Sequence, residues 1–175
     1  MALTWSPALE RPDLLAPAVL EALTADPRLA AVEVTAIDPE LADTAALVEA
    51  TDVTAGQSAN CVVVAGRRGG ETRYAACLVM STGRADVNGA VRRRLDARKA
   101  SFAPLAEVEA ATGMAYGGIT PLGLPDGWPL LVAPVVAEHP AIVIGSGVRH
   151  SKLRLPGPLL LEAVAAAEVL PDLMG

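Results

Sequence analysis

Two apolar runs on either side of a short polar turn constrain this chain more than any other feature. Asn60–Ala65 is apolar and rich in β-branched residues, Arg67-Arg68-Gly69-Gly70 follows, and Thr72–Met80 turns apolar again after Arg73. β-Branched side chains fit a pleated surface, and paired glycines reach the positive φ that a tight turn demands, so the segment is expected to be a β-hairpin. A hairpin alone is marginal in water, so the remaining elements must cover it.

Those elements can be read from caps and periodicity. Helices are expected at Ala16–Ala25, at Glu40–Glu49 with Asp38 as N-cap and Pro39 at its first position, and from Asp86 through Leu95. The last of these would carry Arg92, Arg93 and Arg94 on its polar side. Pro104 opens another helix to Thr112, closed by Gly113, and Leu159–Val169 is read as a final helix. Strands are expected near Ala31–Ile37 and at Lys99–Phe102, Leu130–Ala133, Ala141–Gly145 and Lys152–Leu155. Helices and strands interleave without a strict βαβ repeat. The expected fold is therefore α/β of the α+β type, a single domain with a mixed, mainly antiparallel central sheet packed by helices. Residues 1–15 are expected to form a loosely held N-terminal arm.

Hydrophobic residues make up 52% of the 175 residues and aromatic ones 3%, so the core must be aliphatic and stacking platforms for single-stranded nucleic acid are scarce. The net charge of −6 conceals an asymmetry: residues 1–66 carry two basic and ten acidic side chains, and residues 67–155 twelve basic and seven acidic ones. That second segment could hold phosphates, or its charges could be solvated helix faces and hairpin edges. Cys61 and Cys77 form no CxxC motif and have no histidine at ligand spacing; both read as core residues in a reducing compartment, with no metal site expected. The N-terminus lacks a basic and then apolar leader and no run reaches membrane length, so a cytoplasmic location without membrane association is expected.

Familiar catalytic patterns are missing. His139 and His150 are the only histidines, no G-x-S-x-G elbow is present, and neither a Walker A nor an HExxH motif occurs. Gly145-Ser146-Gly147 comes nearest to an elbow but also reads as a strand-end turn. The segment Gly113–Gly123, GMAYGGITPLG, stands out. Consecutive glycines let backbone N–H groups converge on an oxygen with no Cβ in the way, and Pro121 stiffens the far side. Such a loop could stabilise the oxyanion of an ester under attack, or be an ordinary structural turn.

Thr112-Gly113 followed by Gly117-Gly118-Ile119-Thr120-Pro121-Leu122-Gly123 resembles the TG…GGxxPxG signature of the YbaK/EbsC family, whose G-x-x-x-P loop matches Gly117 to Pro121. The order of the surrounding segments also resembles the family: the hairpin, Asp86, Ala97–Ala103, the glycine loop, Leu130–Ala133 and Ile144–Gly147. The resemblance spans roughly Gln57 to Leu170, while residues 1–50 match only as a generic lead-in.

The resemblance implies a domain like the editing insertion of bacterial prolyl-tRNA synthetase. It implies a trans-editing aminoacyl-tRNA deacylase that hydrolyses the ester of a tRNA mischarged with a small amino acid. Water would attack directly, the neighbouring ribose hydroxyl would assist, and no covalent intermediate or cofactor would be needed. One pocket separates side chains differing by a methyl or hydroxyl by only about 1–3 kcal/mol, which is why a second, hydrolytic pocket is useful. The 3′ end of a mischarged tRNA is the implied partner, with an aminoacyl-tRNA synthetase as a second. Asn60, Gly117 and Gly118 are the implied catalytic positions, and Ile119, Thr120, Pro121, Lys99, Ser146 and Gly147 the implied substrate-binding ones. Arg92–Arg94 and Arg149 are further candidates for phosphate contacts. Many family members carry a lysine where this chain has Asn60, which hydrogen-bonds but brings no charge. A non-catalytic binding module of the same fold, recognising an aminoacyl-tRNA, an amino-acid-like ligand or a synthetase, is therefore the alternative reading.

Overall fold

A computed structural model describes all 175 residues. The hairpin forms as expected and is longer than its apolar runs: β3 (Ala59–Arg68) and β4 (Glu71–Met80) pair antiparallel from Ala59↔Met80 to Arg68↔Glu71. Gly69 and Gly70 make the two-residue turn with φ of 57° and 84°, values that cost other residues strain. Before the hairpin come β1 (Ser6–Pro7) and β2 (Glu33–Ala36). After it come β5 (Lys99–Phe102), β6 (Leu130–Val132), β7 (Ile142–Gly145), β8 (Ser151–Leu155) and β9 (Ala167–Val169).

The architecture is mixed α/β with mainly antiparallel pairing, as expected, but the strands divide between two sheets. One has the order β1-β2-β8-β7 and is antiparallel throughout; the other has the order β5-β3-β4-β6-β9, with β4-β6 and β6-β9 parallel. A main core draws on both sheets, through Val64, Cys77, Leu78 and Leu130–Val132 from one and Ile142, Ile144, Leu153 and Leu155 from the other. At one end the sheets are stitched together. Ser58 bridges to Val143, the Val143 amide donates to Gln57 O at 2.8 Å, and the Ser81 amide donates to Ser58 O at 2.8 Å.

Helices α1 (Pro17–Ala25), α2 (Thr44–Ala50), α3 (Arg92–Arg94), α4 (Leu105–Thr112), α5 (Pro134–Ala137) and α6 (Gly157–Ala163) surround the sheets. None is long and apolar enough to cross a membrane. Gly113 closes α4 in the left-handed region at φ 68°, as expected.

Three helix readings are corrected. The helix expected over Glu40–Glu49 is split: Asp38 caps a 3₁₀ turn at Pro39–Leu41, and Asp43 starts α2 by accepting from the Ala45 amide at 2.9 Å. Two capping aspartates five residues apart make two starts, not one. The helix expected over Leu159–Val169 ends at Ala163. Val164 turns extended and Ala167–Val169 adds to the sheet beside β6, an apolar run whose fate depends on that open edge. Asp86 is a cap, accepting from the Gly89 and Ala90 amides, but the first turn behind it, Val87–Val91, is π-helical and α3 is short.

Residues 1–15, expected as a loose arm, are tied down instead. The N-terminal amine donates to Ala50 O at 2.9 Å, β1 pairs with β2, and Ala8, Leu14 and Leu15 are buried.

Candidate active site

Where the two sheets meet, a cavity of about 410 Å³ opens. Its walls are the start of β3 from Ser58 to Val63, the end of β7 from Val143 to Gly145, the segment Ala42–Thr44 entering α2, and Tyr116, Gly117 and Ile119 of the glycine loop. Phe102, Leu105 and Val108 close the side toward β5 and α4. The volume is at the lower end of the ~300–1,000 Å³ usual for small-molecule sites.

The loop is shaped by close backbone approaches. A Cβ on Gly118 would lie 2.4 Å from Val148 O, and one on Gly145 2.4 Å from Gly118 O. The Gly147 amide donates to Gly118 O at 2.7 Å, and the Ala115 amide to Gly147 O at 2.9 Å, so the loop and the Gly145–Gly147 turn form one unit. Gly117 has φ 81° and faces the Arg149 guanidinium, which donates to Tyr116 O at 2.9 Å and Pro39 O at 3.1 Å. The amide N–H groups of Gly117 and Ile119 make no hydrogen bond within the protein, and both residues line the cavity. A loop that leaves donors free beside a cavity is chemically equipped to receive an oxygen.

Asn60 also lines the cavity, and its Oδ1 accepts from the Thr44 hydroxyl at 2.8 Å, which fixes the amide and points its NH₂ group elsewhere.

Arg149, a candidate from the sequence, lines the cavity, but the buried cation of the site is a residue that sequence reasoning did not single out. Lys152 is 6% exposed, and its Nζ donates to Ala42 O at 2.8 Å and Gly117 O at 3.2 Å. It forms no ion pair. Burial pushes its pKa down to about 8, with the nearby Asp43 carboxylate pulling the other way and Arg149 adding to the depression. An ammonium has three donors, so with two on carbonyls one remains for a guest. In Ser151-Lys152-Leu153-Arg154-Leu155 the alternation places Lys152 on the side expected to face solvent. It is buried because Ala42 and the glycine loop cover that side of β8, an arrangement no local pattern announces. Asp43, the sole carboxylate lining the cavity, and Tyr116 were likewise missed.

The other expected site residues lie elsewhere. Gly118 sits behind the cavity wall, and Thr120 and Pro121 are buried beyond it, with the Thr120 hydroxyl lacking any partner. Ser146 is fully buried, bonded to the Ser151 hydroxyl at 2.6 Å, and a Cβ on Gly147 would lie 2.3 Å from Ala16 Cβ. Lys99 is at the far end of β5 beside Arg67. Arg93 and Arg94 are held by Asp172 and Glu168 at 2.6 and 2.8 Å. No set of three His, Cys, Asp or Glu side chains converges as metal ligands would. Cys61 lines the cavity, but burial raises its thiol pKa, which makes it a poor nucleophile at neutral pH.

Comparison with known proteins gives a family and a fold. The family profile described as an aminoacyl-tRNA editing domain matches residues 38–163, starting earlier than the segment whose motifs are legible by eye. The structure is similar to that of a candidate trans-editing enzyme for prolyl tRNA synthetase, with a TM-score of 0.75 and 24% identity over 91% of this chain and 97% of that one. It is also similar to a hypothetical protein, APE2540, with a TM-score of 0.73 and 21% identity over 90% and 99% of the two chains. At such identities the structures speak for the fold alone. No curated protein matches the chain.

Proposed function

Because the chain belongs to the aminoacyl-tRNA editing domain family, we propose that it is a trans-acting deacylase for a tRNA mischarged with a small amino acid. The observation that carries this reading is one cavity holding free loop amides, a buried ammonium and a single carboxylate. The named likeness to a candidate trans-editing enzyme for prolyl tRNA synthetase supports the same substrate class and a synthetase as the upstream source of the mischarged tRNA.

In this reading Asp43 receives the α-ammonium of the aminoacyl group, and the Gly117 and Ile119 amides with Lys152 Nζ surround the ester carbonyl oxygen. Water adds to the carbonyl carbon, and the charge that builds on oxygen meets donors already in place. The bond to the ribose oxygen then breaks. The proton lost by water ends on that oxygen by way of the neighbouring ribose hydroxyl, and a free amino acid and uncharged tRNA leave. No side chain forms a bond to the substrate. The buried ammonium takes the place of the positive charge absent at Asn60. Asn60 itself, tied to Thr44, contributes a hydrogen bond to the ribose or ester.

Incubation with a panel of mischarged tRNAs tests the proposal. Ester loss well above the buffer rate is expected for one or more small amino acids, and folded protein that accelerates none of them leaves only a binding role.

A further inference from the structure

Away from the cavity, at the tip of the hairpin, a depression is lined by Arg67, Arg68, Gly69, Gly70, Glu71, Thr72, Arg98 and Lys99, with no apolar residue among them. Its charges are not balanced locally. Asp96 pairs with Arg68 and Glu71 with Arg73, and Arg67, Arg98 and Lys99 enter no ion pair. All three are exposed. Arg67 and Lys99 are register partners on neighbouring strands, and the Arg98 amide donates to Arg67 O at 2.9 Å, so the cations are held side by side by the sheet. Like charges directly opposite one another destabilise a sheet. In a chain of net charge −6, such a cluster gives this surface a locally positive potential that attracts anions.

One strand runs from the depression to the cavity. β5 is the edge strand of its sheet, with Lys99 at one end and Phe102 at the other, and Phe102 lines the cavity. Phe102 is the chain's only phenylalanine and is 62% exposed; Tyr116, on the opposite rim, is 59% exposed. In a protein with so few aromatic rings, two of them stand in water at one opening. The three-residue step from Phe102 to Lys99 covers about 10 Å, the length of about three stacked nucleotides.

From these placements we infer that β5 and the hairpin tip form the RNA track of the site. Phe102 and Tyr116 receive the terminal bases of an unpaired tRNA 3′ tail, and Arg67, Arg98 and Lys99 hold the phosphates that follow it. Lys99 and Ser101 project from one face of β5 and Phe102 from the other, and because β5 is the edge strand the tail passes round that edge from one face to the other. This inference rests on the deacylase reading for the identity of the RNA, but it concerns binding and is tested without ester chemistry.

The experiment is fluorescence anisotropy of a labelled, uncharged acceptor-stem minihelix titrated with the protein over a range of salt. The triple variant Arg67→Gln, Arg98→Gln, Lys99→Gln changes only exposed side chains, and its thermal unfolding is checked alongside. Three lost phosphate contacts lower the slope of log Kd against log[salt] by about 2–3 and weaken binding about 100-fold at 0.1 M salt. Phe102→Ala is expected to weaken binding while leaving that slope unchanged, because stacking carries no counterion release. Equal Kd and equal slope for wild type and triple variant, or no binding of the minihelix by wild type, would overturn the inference and leave the cations as protection of a sheet edge. Intact binding with no hydrolysis of any mischarged tRNA would instead remove the deacylase reading and keep the track.

Discussion

The Lys152 ammonium joins the carbonyl oxygens of Ala42 and Gly117, so one buried cation ties the segment entering α2 to the glycine loop at 2.8 and 3.2 Å. It does this without a carboxylate partner, and a buried, unpaired charge costs stability. The consequences can be measured.

The first concerns stability against pH. Burial holds the pKa of folded Lys152 near 8, below its unfolded value, so as pH rises the folded chain gives up this proton first. Between about 8 and 10.5 the unfolded state binds the extra proton, and this group's contribution to stability grows with pH by about 3 kcal/mol. Burial of the Cys61 and Cys77 thiols raises their pKa values and acts with the opposite sign in an overlapping range. The lysine effect is therefore read as a difference. Urea unfolding of wild type and Lys152→Met at pH 7 and 10.5 should show wild type gaining about 3 kcal/mol relative to the variant. A constant difference would mean that Lys152 is not held near pKa 8.

The second concerns the close approaches behind the cavity. Gly118→Ala places a methyl 2.4 Å from Val148 O, and Gly145→Ala one 2.4 Å from Gly118 O, so in both variants backbone must part. A loss of about 1–3 kcal/mol or more is expected in urea unfolding, together with a fall in activity. Gly113→Ala is the contrast. Nothing lies within 4 Å of its Cβ, so only its φ of 68° costs, about 1–2 kcal/mol, and activity should persist.

Much of this fold was legible in the sequence, and the reasons are local. The β3–β4 hairpin, α1 and α4 each carry their own signal in a Gly-Gly turn, a proline at the start or a C-terminal glycine. The parts that were not legible depend on distant partners. Ala167–Val169 is a strand because the edge of β6 is open, and Lys152 is buried because two loops from elsewhere cover it. The glycine loop showed the same division. Gly117 and Ile119 line the cavity, whereas Thr120, Ser146 and Gly147 serve packing behind it, and no motif distinguishes lining from support.

Thr120 offers a test of that support. Its hydroxyl is buried with no partner, so Thr120→Val, which keeps the shape and removes the polar group, should stabilise the protein by about 1 kcal/mol. A raised urea midpoint with unchanged m is the expected result. A lowered one would show that the hydroxyl finds a partner in solution.

Asn60 and Thr44 are expected to act as a pair. A double-mutant cycle with Asn60→Ala and Thr44→Val should return a coupling of about 0.5–1.5 kcal/mol in stability, the usual net value of a hydrogen bond between neutral groups. Additive losses would place the contact seen at 2.8 Å outside the energetics of the site.

The claim that the cavity is a hydrolytic site turns on Lys152. Single-turnover ester loss from the preferred mischarged tRNA, measured at pH 7 with saturating protein, isolates the chemical step from tRNA binding. Lys152→Met, still folded, should slow that step about 10²–10³-fold, the usual cost of removing one preorganised donor from a developing oxyanion. A variant that hydrolyses the ester as fast as wild type would contradict the account.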